Sequence, residues 1–116
     1  MATIETIKKY DVAYFGGGNN SKNYPYRAII GLRRDDNSLI GAAYFHRLDI
    51  TLPDTDSKNS AGYIYIHYPC SDYPRIMDLL RNEDPVYVTY VAGWEMASIN
   101  TSLEPVGEEE LTGTPG

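Results

Sequence analysis

Apolar and polar residues alternate with a period of two in several short stretches of the chain, as they do in half-buried β-strands. The clearest example is the stretch 62–68. One side of this predicted strand carries its apolar residues, namely Ile64, Ile66 and Tyr68. The other side carries ring side chains that tolerate water, namely Tyr63, Tyr65 and His67. The pattern predicts a strand with one face on a core and an aromatic face toward solvent.

Two further apolar stretches, 26–34 and 38–47, are separated by Asp35-Asp36-Asn37, whose side chains favour turns. This arrangement predicts a β-hairpin. With Asp36 and Asn37 as a two-residue turn, one face is apolar and consists of Ala28, Ile30, Leu32, Gly41, Ala43 and Phe45. The opposite face, which we expect to be exposed to solvent, then carries Arg27, Arg33 and His46. A three-residue loop would shift the pairing and mix these two sets.

The remaining elements follow from turn and capping signals. Strands are predicted in the stretches 4–15, 85–92 and 94–103, and the long polar segment 48–61 reads as a loop with an optional edge strand at 49–52. A short helix over 72–82 has Pro74 in its first turn. Its apolar residues fall on one face at helical spacing, and they are Tyr73, Ile76, Met77 and Leu80.

The element order is therefore βββ-loop-β-α-ββ, which predicts a mainly β member of the α+β class. We expect a curved antiparallel sheet or a partly open small barrel of about six strands, with the helix 72–82 packed against it. The position of the helix before the last strands is similar to that in oligonucleotide-binding barrels, in element order alone. Residues 1–107 are expected to form a single β-rich domain, and residues 108–116 a flexible acidic tail.

Charge and cysteine content narrow the classes of partner. The net charge of −6 disfavours a nucleic acid or an anionic membrane as the partner. No apolar run approaches the ~20 residues that cross a bilayer. The first residues lack the basic start and apolar stretch of a secretory signal, so we expect none. The single cysteine, Cys70, allows no disulfide within the chain. A cytoplasmic location is the simplest expectation.

No motif of the sequence assigns a reaction. His67, Cys70 and Asp72 are near one another in the chain, so a small enzyme with a pocket near His46, His67 and Cys70 is one alternative. The more common role of an isolated cysteine is that of a small buried residue. The histidines and Cys70 lack metal-ligand spacing, so we expect no metal. The sequence has no positive signature of an enzyme, so we expect no catalytic residue and no cofactor. The segment 54–56 carries two aspartates but lacks the rest of a calcium loop, and we expect it to be solvated.

The chain has 11 tyrosines, and their stripe on the stretch 62–68 is the best candidate for a binding surface. The predicted surface consists of Tyr63, Tyr65, His67, Tyr87, Arg27 and Arg33. It favours a non-enzymatic binding or assembly module that contacts a protein partner, or a second copy, through the sheet face or an edge strand. The same surface is also compatible with a small-molecule ligand. A single-stranded nucleic-acid binder is a further alternative that the net charge opposes. The stripe is also explained by cross-strand aromatic pairs that only stabilise the sheet.

Overall fold

The computed structural model describes residues 2–16, 24–103 and 106. These residues form eight strands and one α-helix. The strands are β1 Ala2–Ile7, β2 Lys9–Tyr14, β3 Tyr26–Arg33, β4 Leu39–His46, β5 Ser57–Lys58, β6 Ile64–Pro69, β7 Val86–Val91 and β8 Met96–Thr101. The helix α1 spans Tyr73–Asn82. The predicted tail, residues 108–116, lies outside the described residues.

The strands are arranged in two sheets. One sheet has five strands in the order β2-β3-β4-β6-β5, and the other has three in the order β1-β7-β8. The predicted fold class, α+β and mainly β with one short helix, is confirmed. Within the described ranges the strands do not close into a barrel.

The predicted strand 4–15 is divided at Lys8, and its two halves belong to different sheets. β1 pairs with β7 and β2 pairs with β3, while the N–H of Lys8 donates to the carbonyl of Arg33 at 2.9 Å. The division explains the poor alternation of this stretch. The core-facing residue is Ile7 in β1 but Tyr10 in β2, so the inward positions change from odd to even numbers at Lys8.

The β3–β4 hairpin has the predicted register over most of its length. Ala28 lies opposite Phe45, Ile30 opposite Ala43, and Leu32 opposite Gly41. Beyond Leu32 the register shifts, because the connecting segment is wider than a two-residue turn. The apolar face is buried as expected, but the opposite face is not uniformly wet, since His46 is only 3% exposed.

The expectation of an antiparallel sheet is corrected at one strand pair. β6 runs parallel to β4, from Gly41 opposite Ile64 to His46 opposite Pro69. Parallel neighbours need a long crossover, and residues 47–63 provide it. The short edge strand in this segment is β5, not the stretch 49–52, and it pairs with β6 at Ser57 and Lys58.

One apolar core lies between the inner faces of the two sheets and α1. Its fully buried side chains are Phe45, Ile30, Leu32, Ile40, Ile64, Ile66 and Val88. Ile76 of α1 is buried in this core, and the other predicted face residues of the helix, Tyr73, Met77 and Leu80, pack against it. The outer face of the five-stranded sheet is turned away from this core. No helix in the described part of the chain is long and apolar enough to cross a membrane.

Candidate functional site

A continuous group of rings covers one end of the outer face of the five-stranded sheet. We define this outer aromatic face by Tyr24, Tyr26, Tyr44, Tyr65 and His67, which come from β3, β4, β6 and the residues before β3. Alternation along β4 and β6 places Tyr44, Tyr65 and His67 on the side opposite the buried core residues. Tyr26 joins them because the β3–β4 register shifts between Tyr26 and Ala28. Each ring is partly accessible, and Tyr24 is 40% exposed.

Neighbouring rings of the face are in contact but are not coplanar. Ring centroids are 5.4 Å apart between Tyr24 and Tyr26, 4.8 Å between Tyr26 and Tyr44, and 5.9 Å between Tyr44 and Tyr65. The corresponding interplanar angles are 89°, 43° and 47°. Only the Tyr44 and His67 rings approach a stacked arrangement, with centroids 5.7 Å apart and an angle of 24°. The rings therefore do not form one flat plane, and the face is uneven.

The phenol group of Tyr44 is held in its neutral form. Burial raises the pKa of Tyr44, and the neighbouring phenols of Tyr65, Tyr26 and Tyr24 raise it further. The amide Nδ2 of Asn59 donates to the hydroxyl oxygen of Tyr65 at 3.0 Å. The face thus presents both apolar ring surface and polar groups that can bond to a partner.

Two histidines meet at the edge of this face. Nε2 of His46 lies 2.9 Å from Nδ1 of His67, and the ring of His46 lies 4.9 Å from that of Tyr26. His46 comes from the last position of β4 and His67 from β6. The parallel register places His67 opposite Tyr44, so His46 is its diagonal neighbour on the same face. The other ring nitrogen of His46, Nδ1, is buried without a hydrogen-bond partner.

Both imidazoles are held in the neutral form. Burial lowers the pKa of His46, and the nearby His67 lowers it further. Burial also lowers the pKa of His67, against the opposing effect of the Asp56 carboxylate. In a neutral pair one ring must donate and the other accept. Donation from His46 Nε2–H leaves Nδ1 as an acceptor, and a buried acceptor without a partner is better tolerated than a buried N–H.

Asp56 holds the strand that carries His67 and Tyr65. Its Oδ1 accepts the backbone N–H of His67 at 2.9 Å, and its Oδ2 accepts the backbone N–H of Ala97 at 2.9 Å. Because Ala97 belongs to β8, one carboxylate joins the two sheets. The expectation that the segment 54–56 is solvated is therefore wrong for Asp56, which is partly buried. The loop sequence alone carries no signal for this role.

The predicted surface residues are only partly brought together. Tyr65 and His67 lie in the outer aromatic face, and Tyr63 precedes β6 with its N–H bonded to Asn59 Oδ1 at 2.9 Å. Tyr87, in contrast, belongs to β7 of the three-stranded sheet, so it does not extend this face.

The two predicted basic residues lie at opposite ends of β3. Arg27 lies next to Tyr26, where the pairing of β3 with β4 shifts by one residue. Arg33 lies at the far end, with Nε 2.8 Å from Oδ1 of Asp11. Its Nη1 donates to the carbonyl of Asn37 at 3.1 Å.

Sequence reasoning missed Tyr24, Tyr26 and Tyr44. A signal for Tyr44 was present, because it alternates with the buried Phe45 in the predicted hairpin. The meeting of Tyr44 with Tyr65 and His67 depends on the parallel β4–β6 pairing, which the sequence did not indicate.

In the described part of the chain, the residues of the enzyme alternative do not lie together on one side of the sheet. Cys70 packs against the core, whereas His67 lies on the outer face. A pocket of about 470 Å³ lies along α1 and a second of about 280 Å³ lies near Tyr10 and Asp84; neither is lined by His46, His67 or Cys70. Among the described residues, no group of three His, Cys, Asp or Glu side chains could hold a metal ion.

Comparison of this chain with protein-family models, with curated proteins and with solved structures found no match.

Proposed function

We propose that this chain is a binding module that recognises a protein partner through its outer aromatic face. The observation that carries the proposal is the contact chain of partly exposed rings from Tyr24 through Tyr26 and Tyr44 to Tyr65. Tyrosine is enriched at the centres of protein interfaces because its ring buries a large apolar area while its hydroxyl keeps a hydrogen bond. These rings are held by their neighbours, so a partner would immobilise few free rotamers.

The geometry of the rings favours a protein over a sugar or a base. Sugars and nucleobases stack on flat ring planes, whereas the four tyrosine rings of this face are tilted by 43° to 89°, each against the next. An uneven surface of this kind fits the side chains of another protein. Nucleic acid is disfavoured further by the net charge of −6 and by the ion pair that occupies Arg33.

The experiment compares binding by matched tyrosine variants. The protein is used to capture partners from an extract of its source organism, a captured protein is purified, and its affinity is measured by calorimetry. Tyr24→Ser and Tyr65→Ser should each weaken this affinity by about tenfold or more, the size expected for a central aromatic contact. Tyr87→Ser, on the outer face of the other sheet, is the matched control and should leave the affinity unchanged.

Three outcomes would contradict the proposal. They are unchanged affinity in both outer-face variants, an equal loss of affinity in Tyr87→Ser, and tight binding of an oligosaccharide or a single-stranded oligonucleotide by the wild-type protein at low salt. Circular dichroism of each variant separates loss of binding from loss of folding.

A further inference from the structure

β2 is an edge strand with a free side. It pairs with β3 along its whole length, from Lys9 opposite Arg33 to Tyr14 opposite Ala28, without a shift in register. No described strand pairs with its other side. A straight edge of this kind exposes a row of backbone donors and acceptors to any strand that can reach it.

The backbone groups on the free side belong to the even-numbered residues. The N–H of Phe15 donates to the carbonyl of Arg27 at 2.8 Å, which identifies their pair as a hydrogen-bonded one. Because hydrogen-bonded and non-hydrogen-bonded pairs alternate in an antiparallel ladder, the odd-numbered residues of β2 bond to β3. Tyr10, Val12 and Tyr14 therefore direct their N–H and C=O groups toward the free side.

The side chains of β2 offer little protection against pairing of its free edge with another strand. Val12 is 38% exposed and Tyr14 is 60% exposed. β2 has no proline, and its one lysine, Lys9, donates its ammonium group to Asn37 Oδ1 at 2.9 Å. The opposite edge strand of the same sheet, β5, is only two residues long, and its Lys58 amine bonds to Thr3 of the other sheet at 2.9 Å.

We propose that β2 pairs antiparallel with β2 of a second copy of this chain, about a two-fold axis at Val12. In this register Val12 lies opposite its own copy, and Tyr10 lies opposite Tyr14 of the second copy. All three are residues whose backbone groups face the free side, so each pair can exchange two bonds, about six in total. The interface is self-complementary, as a two-fold dimer requires.

Other registers of the β2–β2 pair place like charges opposite each other or leave backbone groups of β2 unpaired. An axis at Asp11 would place two carboxylates directly opposite each other, and like charges in that position are destabilising. An axis at Tyr10 or at Ala13 would leave part of the row Tyr10, Val12 and Tyr14 unpaired within β2. The axis at Val12 instead places Asp11 opposite Ala13 and keeps the two Asp11–Arg33 ion pairs apart.

The dimer would form one continuous sheet twice as wide as that of the single chain. The apolar surface of Val12 would be covered by its copy, and the Tyr14 ring, which meets Tyr73 of α1 edge-on at 5.1 Å, by Tyr10 of the second copy. Both outer aromatic faces would lie on the same side of this sheet. The inference is independent of the proposed function, because it uses the edge of the sheet and not its outer face.

Two measurements on the wild-type protein test the pairing. Sedimentation velocity over a concentration series should show a monomer–dimer equilibrium. Hydrogen exchange of backbone amides should show protection of Tyr10, Val12 and Tyr14 that rises with protein concentration, whereas amides of β3 should be protected at every concentration. A monomer up to millimolar concentration, or a dimer without rising protection at these three amides, would overturn the proposal.

A pair of variants at the axis completes the test. Val12→Pro removes an N–H that does not bond to β3, so the fold should be retained while the concentration-dependent association is lost. Val12→Thr keeps the N–H and the branched side chain and should dimerise as the wild type does. Association of a folded Val12→Pro variant at the wild-type level would contradict the pairing. If Val12→Pro does not fold, the exchange pattern of the wild type decides the question.

Discussion

Gly41 lies where β4 passes very close to the parallel strand β6. A Cβ at this position would collide with the backbone carbonyl group of Ile64. Backbone cannot rotate away as a side chain can, so the collision has to be relieved by moving one of the two central strands. Glycine is therefore required here because the backbones of β4 and β6 approach each other closely, and not because of its own backbone conformation.

Gly41→Ala should lower the free energy of unfolding by about 1–3 kcal/mol, the usual cost of overfilling a packed interior. Urea denaturation followed by circular dichroism measures the change. Gly93→Ala is the control, because a Cβ there meets nothing within 4 Å, and its stability should be unchanged or slightly higher. Wild-type stability in Gly41→Ala would show that β4 and β6 are not in this close contact.

The His46–His67 pair makes stability depend on pH. Burial lowers the pKa of both histidines in the folded state, so the unfolded chain binds protons more readily. Their contribution to stability is therefore complete above the unfolded pKa of about 6.5 and is lost as the pH falls below it. Each histidine that is protonated only in the unfolded chain gives a slope of about 1.4 kcal/mol per pH unit.

The pH prediction is checked by urea denaturation between pH 7.5 and pH 5, above the range in which most carboxylates titrate. Stability should fall with decreasing pH in the wild type, and the slope should be smaller in His46→Gln, which has one buried imidazole less. A stability that is constant over this interval would contradict the neutral buried pair. Asp56 makes the loss of stability at low pH smaller, because its carboxylate favours the protonated form of His67.

At the scale of elements, the two sheets are joined by a side chain from the crossover between β4 and β6. Asp56 accepts one backbone N–H from β6 and one from β8, and its own N–H donates to the carbonyl of Glu95 at 2.9 Å. These bonds connect the β6 side of the five-stranded sheet to the hairpin formed by β7 and β8. They also fix the position of β6, and with it the part of the outer aromatic face that β6 carries.

Asp56→Ala should destabilise the fold by about 2–5 kcal/mol, because two partly buried N–H groups lose their acceptor. Asp56→Asn should cost less, since the amide oxygen can still accept one of them. Asp54→Ala, in the exposed part of the same loop, should have little effect. Thermal unfolding of the three variants gives the order of stability, and an Asp54 effect as large as that of Asp56 would be inconsistent with the bridge.

At the scale of the whole molecule, residues from both sheets and the helix share one core. Ile66 of the five-stranded sheet, Ile99 of the three-stranded sheet and Ile76 of α1 belong to the same buried cluster. Neither sheet can bury its inner face without the other. We therefore expect the two sheets to unfold together.

Hydrogen exchange provides the test of cooperative unfolding. The amides of Ala43 and Val88, in central strands of the two sheets, should exchange with the same free energy of opening, equal to that of global unfolding. Ile66→Val should lower the free energies of opening at Ala43 and Val88 equally, by about 0.5–1.5 kcal/mol, and so should Ile99→Val. Different free energies for Ala43 and Val88 would indicate two separately unfolding sheets.

Local patterns of the sequence determined much of this molecule. The alternation of Ile64 and Ile66 with Tyr63, Tyr65 and His67 predicted which face of β6 is buried, because neighbouring side chains of a strand point to opposite sides. The apolar residues of 26–47 predicted the hairpin register, and helical spacing predicted the packed face of α1. Each prediction needed only residues that are close in the chain.

The tertiary structure alone decided how these elements meet. The break at Lys8 assigns β1 and β2 to different sheets, and the crossover 47–63 makes β6 parallel to β4. The joining of Tyr44 to Tyr65, the His46–His67 contact and the Asp56 bridge follow from that pairing. Alternation determines the face on which a side chain lies within its own strand. Which strands become neighbours depends on how their apolar faces pack together, and that is settled by contacts between residues far apart in the chain.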